Sequence, residues 1–465
     1  MHFHRPSRFT LSPRSMSLRS MALVSTVTLA MIGAANAEAL LLVEAETGKV
    51  LQAENATYPW YPASVTKLMT AYVTLKAVKE GRITLDTLFS VSPTAASQSP
   101  SKMGFRPGTQ VTVDNALKMM LVKSANDMAV VLAEGVGGSI DGFSALMNQN
   151  AQRLGMTQTS YVNPNGLPAD GQITSARDLA ILARAIIKDL PEYEYFVHIP
   201  SIRYGRRITQ NFNKLIGRYP GADGFKTGFI CAAGYNLVAS ATRNGKRLIA
   251  VVLGASSGQA RAVKAIQLLD RGFSNDQLSW LKPSLGTVDA LAPIDASPPD
   301  LRDEMCNGKR HRPASDEDQD TTAANGGAAG TSPALAFFAT GQAPALKPSE
   351  LLAAAPAASE PIPVYTGPTR SGPALIAAVA ADVAADDAAA AARRHGKKTR
   401  HAGKRPPEAG ADDATAKSAS SKQAKHASAK PDAKTADKPA AGDKAAKPKA
   451  AAKPGKPKNS DAKNS

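Results

Sequence analysis

The sequence predicts an α/β fold, in which an antiparallel sheet is flanked by helices and carries a helical subdomain between its first and last strands. Two apolar stretches, 39–45 and 49–53, surround a turn at Gly48 and indicate a β-hairpin. Helical patterns fill the middle, and β-rich stretches return after Pro220. Because strands open and close this order, we expect both ends to meet in one sheet.

The remaining elements follow from local patterns. Asn244-Gly245 is a strong signal for a tight hairpin between the last two strands, and Thr174-Ser175 are good helix N-cap residues. Helices are predicted from Ser64 to about Gly81 and over 114–123, 127–136, 140–154, 175–189 and 259–272, and strands over 225–231, 236–243 and 248–253.

The first 37 residues form a predicted signal peptide. They contain no acidic residue, carry four arginines before an apolar run from Met21 to Ala35, and end in Ala35-Asn36-Ala37. We therefore expect export to the periplasm or the cell-wall space, as a soluble or peripherally associated protein. The predicted organisation is a signal peptide (1–37), a globular domain (38–280) and a tail (281–465).

The tail is predicted to be low-complexity and mostly disordered. From Arg393 onward it holds 20 Lys or Arg residues against 7 Asp or Glu, which accounts for most of the net charge of +17. Almost no apolar residue larger than alanine occurs there, so burial cannot offset the entropy of ordering. An alanine-rich stretch, 374–392, is predicted to form a transient helix.

The few cysteines and histidines limit which disulfides, metal sites and catalytic groups the chain can form. Only Cys231 and Cys306 are available for a disulfide, and the sequence favours two separate thiols over a bridge. His198 is the only histidine in the globular part, which argues against a histidine-rich zinc site and against a Ser-His-Asp triad. No metal or other cofactor is expected.

Ser64 and Lys67 are the first candidates for catalysis. They lie three residues apart at the start of an apolar helix, so their side chains share one helix face. A serine hydroxyl needs a base to act as a nucleophile, and a buried lysine with a lowered pKa can supply one. Without a base beside it, a serine at the start of a helix is an ordinary N-cap residue. The pair therefore needs partners elsewhere in the chain.

Two later segments carry such partners. Ser124 and Asn126 lie in a break between two predicted helices, where a hydroxyl can relay a proton and an amide can hold Lys67 and the substrate. Lys226-Thr227-Gly228 lies on a predicted strand and offers a second cation, a hydroxyl and room for an extended substrate. Each segment alone also fits a helix cap or a solvated strand. Together, in this order, they favour a serine acyl-transfer enzyme.

These motifs, with the flanking segments 223–228 and 233–241, resemble the exported serine D-alanyl-D-alanine carboxypeptidases, the low-molecular-mass penicillin-binding proteins. The similarity covers roughly residues 39–273. It implies a penicillin-binding transpeptidase or β-lactamase-like fold with 38–280 as the catalytic domain. Ala125 stands where the superfamily motif has aspartate, a variation that the carboxypeptidases accommodate.

The resemblance implies a role for each matching residue. Ser64 is the acylated nucleophile, Lys67 its base and Ser124 the third catalytic residue. The backbone N–H groups of Ser64 and Phe229 form the oxyanion hole, and an arginine with a threonine holds the terminal carboxylate of the substrate. The implied substrate-binding residues are Asn126, Lys226, Thr227, Gly228, Phe229 and Arg261.

The implied reaction removes the terminal D-alanine of a peptidoglycan pentapeptide, with β-lactams as inhibitors. A β-lactamase and a D,D-endopeptidase remain open, although the spacing indicates no extra base for deacylation. A protein of another class, which binds anionic envelope polymers through the basic tail, is also open. The export signal argues against nucleic acid as a partner. Some family members carry a further β-rich domain and an amphipathic anchor, which are not expected here because low-complexity sequence follows the last helix.

Overall fold

A five-stranded antiparallel sheet forms the centre of the computed structural model, which describes residues 1–2, 38–274, 284–307, 346–384 and 388. The described strands are β1 (Ala39–Glu44), β2 (Val50–Glu54), β3 (Leu88–Ser90), β4 (Gln110–Thr112), β5 (Ser201–Tyr204), β6 (Arg207–Gln210), β7 (Ala222–Ile230), β8 (Gly234–Arg243), β9 (Lys246–Ala255) and β10 (Ile362–Pro363). The central sheet has the order β2-β1-β9-β8-β7. The first and last strands of the globular part therefore meet, as the sequence predicts.

Both faces of this sheet are buried, and β9 shows how. Ile249, Val251 and Leu253 belong to one hydrophobic core, whereas Leu248, Ala250 and Val252 belong to the other. Successive side chains of a strand point to opposite faces, so the two cores lie on the two sides of the sheet. This is why β8 and β9 read as continuous apolar stretches.

Helices cover the two faces and form the inserted subdomain. The described α-helices are α1 (Lys67–Lys79), α2 (Pro93–Ser97), α3 (Val113–Val122), α4 (Asn126–Gly137), α5 (Ile140–Arg153), α6 (Ala176–Asp189), α7 (Gly258–Phe273), α8 (Arg302–Met305), α9 (Pro348–Ala353) and α10 (Gly372–Ala384). Helix α7 packs on the face that carries Leu248, and α6 on the opposite face. Ser175 caps α6 by accepting a hydrogen bond from the Asp178 N–H at 3.1 Å, as its sequence predicts.

No single helix in the described ranges has the length and apolar composition of a membrane span; α4 and α5 reach them only as a pair bent by 83°.

The cysteine expectation is wrong. Cys231 and Cys306 form a disulfide across 75 residues of sequence, with their Cα atoms 5.7 Å apart. The bridge joins the end of β7 to α8, and the Leu301 N–H also donates to the Ala232 carbonyl at 3.1 Å. The pairing depends on a chain reversal that neither cysteine's local sequence reveals.

Within the predicted tail, the structure describes segments between 284 and 384, and one of them packs on the globular part. Val364 and Tyr365 are buried on the globular part, and β10 pairs in parallel with β5. The Tyr365 N–H donates to the Asn115 side chain at 3.3 Å. A few large apolar side chains anchor this segment although its average composition is alanine- and proline-rich. Helix α10 agrees with the start of the predicted alanine-rich helix. The predicted signal peptide, apart from residues 1 and 2, and the tail after 384, apart from residue 388, lie outside the described residues.

We expect the disulfide to stabilise the domain. Replacing both cysteines with alanine removes a cross-link over a long loop, which should lower the free energy of unfolding by about 2–4 kcal/mol. Urea unfolding of the oxidised protein and the double variant measures this difference. A reductant should lower the stability of the unaltered protein to that of the double variant and leave the double variant unchanged. Equal stability of the two oxidised proteins would contradict the prediction.

Candidate active site

Ser64 lies in a short 3₁₀ turn, Ala63–Thr66, that leads directly into α1. Ala63 adopts a left-handed backbone with φ of 50°, a costly conformation for a residue with a side chain. Gly166 packs directly against this turn. Only glycine fits there, because a Cβ atom at its position would lie 1.8 Å from the Ala63 carbonyl oxygen. The backbone around Ser64 is thus fixed by a neighbouring loop as well as by α1.

The amine of Lys67 is buried and is held by three oxygen atoms. Its Nζ lies 2.9 Å from Ser64 Oγ, 2.7 Å from Asn126 Oδ1 and 2.7 Å from the Asn165 carbonyl oxygen. The Lys67 side chain has 0% exposure. Three segments distant in sequence therefore meet at one nitrogen atom.

These three partners can accept from an ammonium group, and they also suit a neutral amine. A neutral amine has two N–H donors and one lone pair, and a carbonyl oxygen can only accept. The N–H groups of Lys67 can donate to Asn126 and Asn165, which leaves the lone pair facing the hydroxyl of Ser64. In that arrangement Ser64 donates to Lys67, which is the geometry a serine needs to lose its proton.

The surroundings of Lys67 hold its pKa well below its usual value of 10.5, first because burial removes the charged form from water. The nearby cation of Lys226 acts in the same direction, whereas the carboxylate of Asp127 opposes it. Burial and a second cation thus favour the uncharged lysine that a general base requires.

Asn126 and Ser124 come from the junction between α3 and α4. Asn126 starts α4, is 3% exposed, and its Nδ2 donates to the Ser99 carbonyl at 2.9 Å while its Oδ1 accepts from Lys67. Ser124 is buried and has a left-handed backbone with φ of 61°. This strained turn is the break between helices that the sequence predicts, and it presents Ser124 and Asn126 from one loop.

Strand β7 brings the third motif to the site from the edge of the sheet. A Cβ atom on Gly228 would lie 2.8 Å from the backbone nitrogen of Ser64, so the strand passes close to the serine only because this residue is glycine. Lys226 is 1% exposed and its Nζ donates to the Thr227 carbonyl at 3.0 Å.

Thr227 carries an unpaired polar atom. Its Oγ1 is buried and finds no hydrogen-bond partner within the described part of the chain. A buried hydroxyl without a partner costs free energy in the folded protein. An unpaired hydroxyl next to a serine and lysine pair is therefore available to an incoming ligand.

Phe229 and Arg261 take positions behind the edge of the strand. The Phe229 ring lies 4.2 Å from the Tyr235 ring, centroid to centroid. Arg261, in the first turn of α7, is 2% exposed, and its Nη1 lies 3.4 Å from the carbonyl oxygens of Gly228 and Asn236. The guanidinium thus lies against the strand that carries Thr227, rather than in open solvent.

Two residues of the site were not anticipated from the sequence. The Asn163-Pro164-Asn165-Gly166 turn is visible as a turn, but its contact between the Asn165 carbonyl and Lys67 is not. The buried carboxylate of Asp127 accepts hydrogen bonds from the N–H groups of Met103 and Gly104, which fixes the loop beside Asn126. The asparagine-rich turn itself is the sequence signal for this part of the site.

The comparisons with known proteins agree with this geometry. The model of peptidase family S11, described as D-alanyl-D-alanine carboxypeptidase, matches residues 25–257. The D-alanyl-D-alanine carboxypeptidase DacC of Escherichia coli is 41% identical over 246 residues, which are 51% of this chain and 61% of that protein.

Two crystal structures share the fold. The D-alanyl-D-alanine carboxypeptidase DacD from Francisella tularensis has a TM-score of 0.50 at 32% identity, over 51% of this chain and 70% of that one. Penicillin binding protein 5 from Haemophilus influenzae has a TM-score of 0.50 at 36% identity, over 51% and 71%.

The chain spans 61% and 62% of the length of the first two curated relatives that it matches. The matched part holds every predicted site residue except Arg261, which follows it by four positions. The antiparallel sheet with flanking helices, the family model and these relatives agree: the chain belongs to the D-alanyl-D-alanine carboxypeptidase family, peptidase family S11.

Proposed function

We propose that this protein is an exported serine carboxypeptidase that removes the terminal D-alanine of peptidoglycan stem peptides through an acyl-enzyme on Ser64, and that β-lactams acylate the same serine. The observation that carries the proposal is the buried amine of Lys67, which lies 2.9 Å from Ser64 Oγ in a chain of this family. The carboxypeptidase and penicillin-binding names of its relatives support the choice of substrate and inhibitor.

Acylation follows from the hydrogen bonds around Lys67. The Ser64 oxygen attacks the carbonyl carbon of the penultimate D-alanine while its proton passes to the Lys67 nitrogen. The negative charge then rests on the former carbonyl oxygen, where the N–H groups of Ser64 and Phe229 are proposed to stabilise it. The C–N bond breaks, a proton reaches the leaving amine through Ser124, and D-alanine departs. Water completes the cycle by attacking the ester carbon, with release of the shortened peptide from Ser64.

Substrate binding is proposed along β7, the outer strand of the central sheet. An extended peptide can pair with a free strand edge, and Gly228 leaves room for it beside the serine. The unpaired Thr227 hydroxyl and the cation of Lys226 favour the terminal carboxylate, with Arg261 behind them. Asn126 is proposed to orient both Lys67 and the amide of the substrate.

The contacts around the pair favour slow deacylation over β-lactamase activity. Within the described part of the chain, the Lys67 amine forms hydrogen bonds with a hydroxyl, a side-chain amide and a backbone carbonyl, and with no carboxylate. The loop that closes on Lys67 contributes Asn165, whose side-chain amide donates to Gln98. A rapid β-lactamase needs an added base at the ester, in class A enzymes a glutamate.

Export is proposed from the signal peptide and is supported by the disulfide, since such bonds persist in oxidising compartments outside the cytoplasm. We place the protein in the periplasm or cell-wall space. Binding of anionic envelope polymers by the basic part of the tail rests on composition alone, because the residues from Arg393 onward lie outside the described residues.

Ser64→Ala should abolish covalent labelling by a fluorescent penicillin, because the acylated oxygen is gone. It should also lower D-alanine release from diacetyl-Lys-D-Ala-D-Ala by at least roughly 10³-fold, a typical loss for a nucleophile. Ser274→Ala is the control, since Ser274 is an exposed residue after α7 whose side-chain hydroxyl donates to the Arg271 carbonyl. Persistent labelling of Ser64→Ala would overturn the proposal, and rapid release of the label from the unaltered protein would favour a β-lactamase.

Thr227→Val should weaken activity towards the substrate without lowering the stability of the folded protein. Valine keeps the shape of threonine but removes the unpaired hydroxyl, so the free energy of unfolding should stay equal or rise by up to about 1 kcal/mol. The kcat/KM for D-alanine release should fall by roughly 10–100-fold, because the proposed carboxylate contact is lost. Urea unfolding and a D-alanine assay measure the two effects.

Thr242→Val is the matched control on the neighbouring strand. Its hydroxyl donates to the Asp223 carboxylate, so this change should lower stability and leave kcat/KM unchanged. If Thr227→Val lost stability and kept full activity instead, its hydroxyl would have a structural role and the proposed contact would be wrong.

A further inference from the structure

A cleft of about 170 Å³ lies beside the turn that carries Ser64. Four parts of the chain line it, and the first three are residues 61–63 just before the serine, the loop 166–172, and the end of β7 with Ile230 and Ala232. Arg302 of α8 completes the wall next to β7. The proposed mechanism makes no use of this cleft, although it opens next to the reacting serine.

The segment that supplies Arg302 is firmly attached. The disulfide between Cys231 and Cys306 joins it to the end of β7, and the Leu301 N–H donates to the Ala232 carbonyl at 3.1 Å. Leu301 is 3% exposed and Met305 is 8% exposed, so both flanks of Arg302 are buried against the domain. The position of Arg302 in the wall is therefore set by a covalent bond and by packing.

Opposite charges face the cleft from its two sides. Asp170, on the loop, is exposed and has no recorded hydrogen bond or ion pair with the described residues. Arg302 pairs only with Asp300 there, at 2.8 Å, and the two side chains are 58% and 46% exposed. Such an exposed pair is worth about 0–1 kcal/mol, so a ligand carboxylate can share or replace Asp300.

The direction of β7 relates the cleft to the substrate. The proposed site holds the terminal carboxylate near Thr227 and the reacting carbonyl beside Ser64, opposite Gly228. Ile230 lies two residues further along the strand, about 7 Å away at strand spacing. A peptide that runs antiparallel to β7 therefore brings the residue before the D-alanine pair to the cleft.

We propose that this cleft is a specificity subsite for the side chain of the residue before the D-alanine pair, and that it takes a long side chain ending in both an ammonium and a carboxylate group. Asp170 binds the ammonium group and Arg302 the carboxylate, which Arg can accept through two N–H donors. This inference rests on the proposed function, because the substrate must lie along β7.

Three acetylated peptides X-D-Ala-D-Ala test the subsite, with norleucine, lysine or diaminopimelate as X. The lysine side chain adds an ammonium group to the apolar chain, and diaminopimelate adds a carboxylate next to an ammonium. Calorimetry with the full-length Ser64→Ala protein gives the dissociation constants without turnover. We expect the lysine peptide to bind about fivefold more tightly than the norleucine peptide, and the diaminopimelate peptide about fivefold more tightly again.

Two variants test which residue produces each of these two differences in affinity. Asp170→Asn should remove the preference for lysine over norleucine, and Arg302→Gln should remove the preference for diaminopimelate over lysine. Glu304→Gln is the control, since Glu304 is an exposed residue of the same short helix that does not line the cleft. It should keep both ratios. Because the readout is a ratio between peptides, a general loss of stability does not imitate the result.

Equal binding of the three peptides, or ratios that neither variant changes, would overturn the subsite. The proposed function is judged separately, by D-alanine release from the norleucine peptide with the unaltered protein. Release without selectivity in binding rejects the subsite alone. Selectivity in binding without release from any peptide rejects the carboxypeptidase and leaves the subsite in place.

Discussion

The site depends on the position of one buried lysine amine, which contacts three oxygen atoms. Lys67 is buried, and its Nζ meets Ser64, Asn126 and the Asn165 carbonyl at 2.7–2.9 Å. A cation at this position loses hydration and faces the cation of Lys226, so the pKa of Lys67 lies well below its usual value of 10.5. The unfolded chain takes up a proton that folded Lys67 does not, so this lysine lowers stability as the pH falls below 10.5. The fold carries this cost at the residue that is proposed to act as the base.

The architecture explains how these atoms come together. Ser64 and Lys67 belong to the start of α1, Asn126 to the start of α4, and the third motif to the outer strand of the sheet. The site thus lies where the helical subdomain meets the edge of the sheet. Ala63 and Ser124, which lie beside the two helix starts, both have left-handed backbones. The subdomain inserted between β2 and β7 is therefore part of the site and not only a cover for the sheet.

Much of this could be predicted from local sequence. Asn244-Gly245 between two apolar stretches determines a hairpin within a few residues, and the three-residue spacing of Ser64 and Lys67 fixes their shared face. The contact of Lys67 with the Asn165 carbonyl joins residues 98 apart, and it involves a backbone atom that every residue possesses. No pattern of side chains in the sequence predicts such a contact. The Cys231–Cys306 bridge and the short β10 strand were missed for the same reason: each depends on the path of the chain between distant segments.

The ionisation state of Lys67 decides whether this residue can accept the proton of Ser64. With ¹⁵N-labelled lysine, nuclear magnetic resonance can follow the Nζ of Lys67 as the pH is changed, and a Lys67→Arg variant assigns the signal. We expect a midpoint well below 10.5, with the neutral amine present at the pH of activity. A midpoint at or above 10.5 would mean that Lys67 is a cation beside Ser64, and would contradict its role as the base.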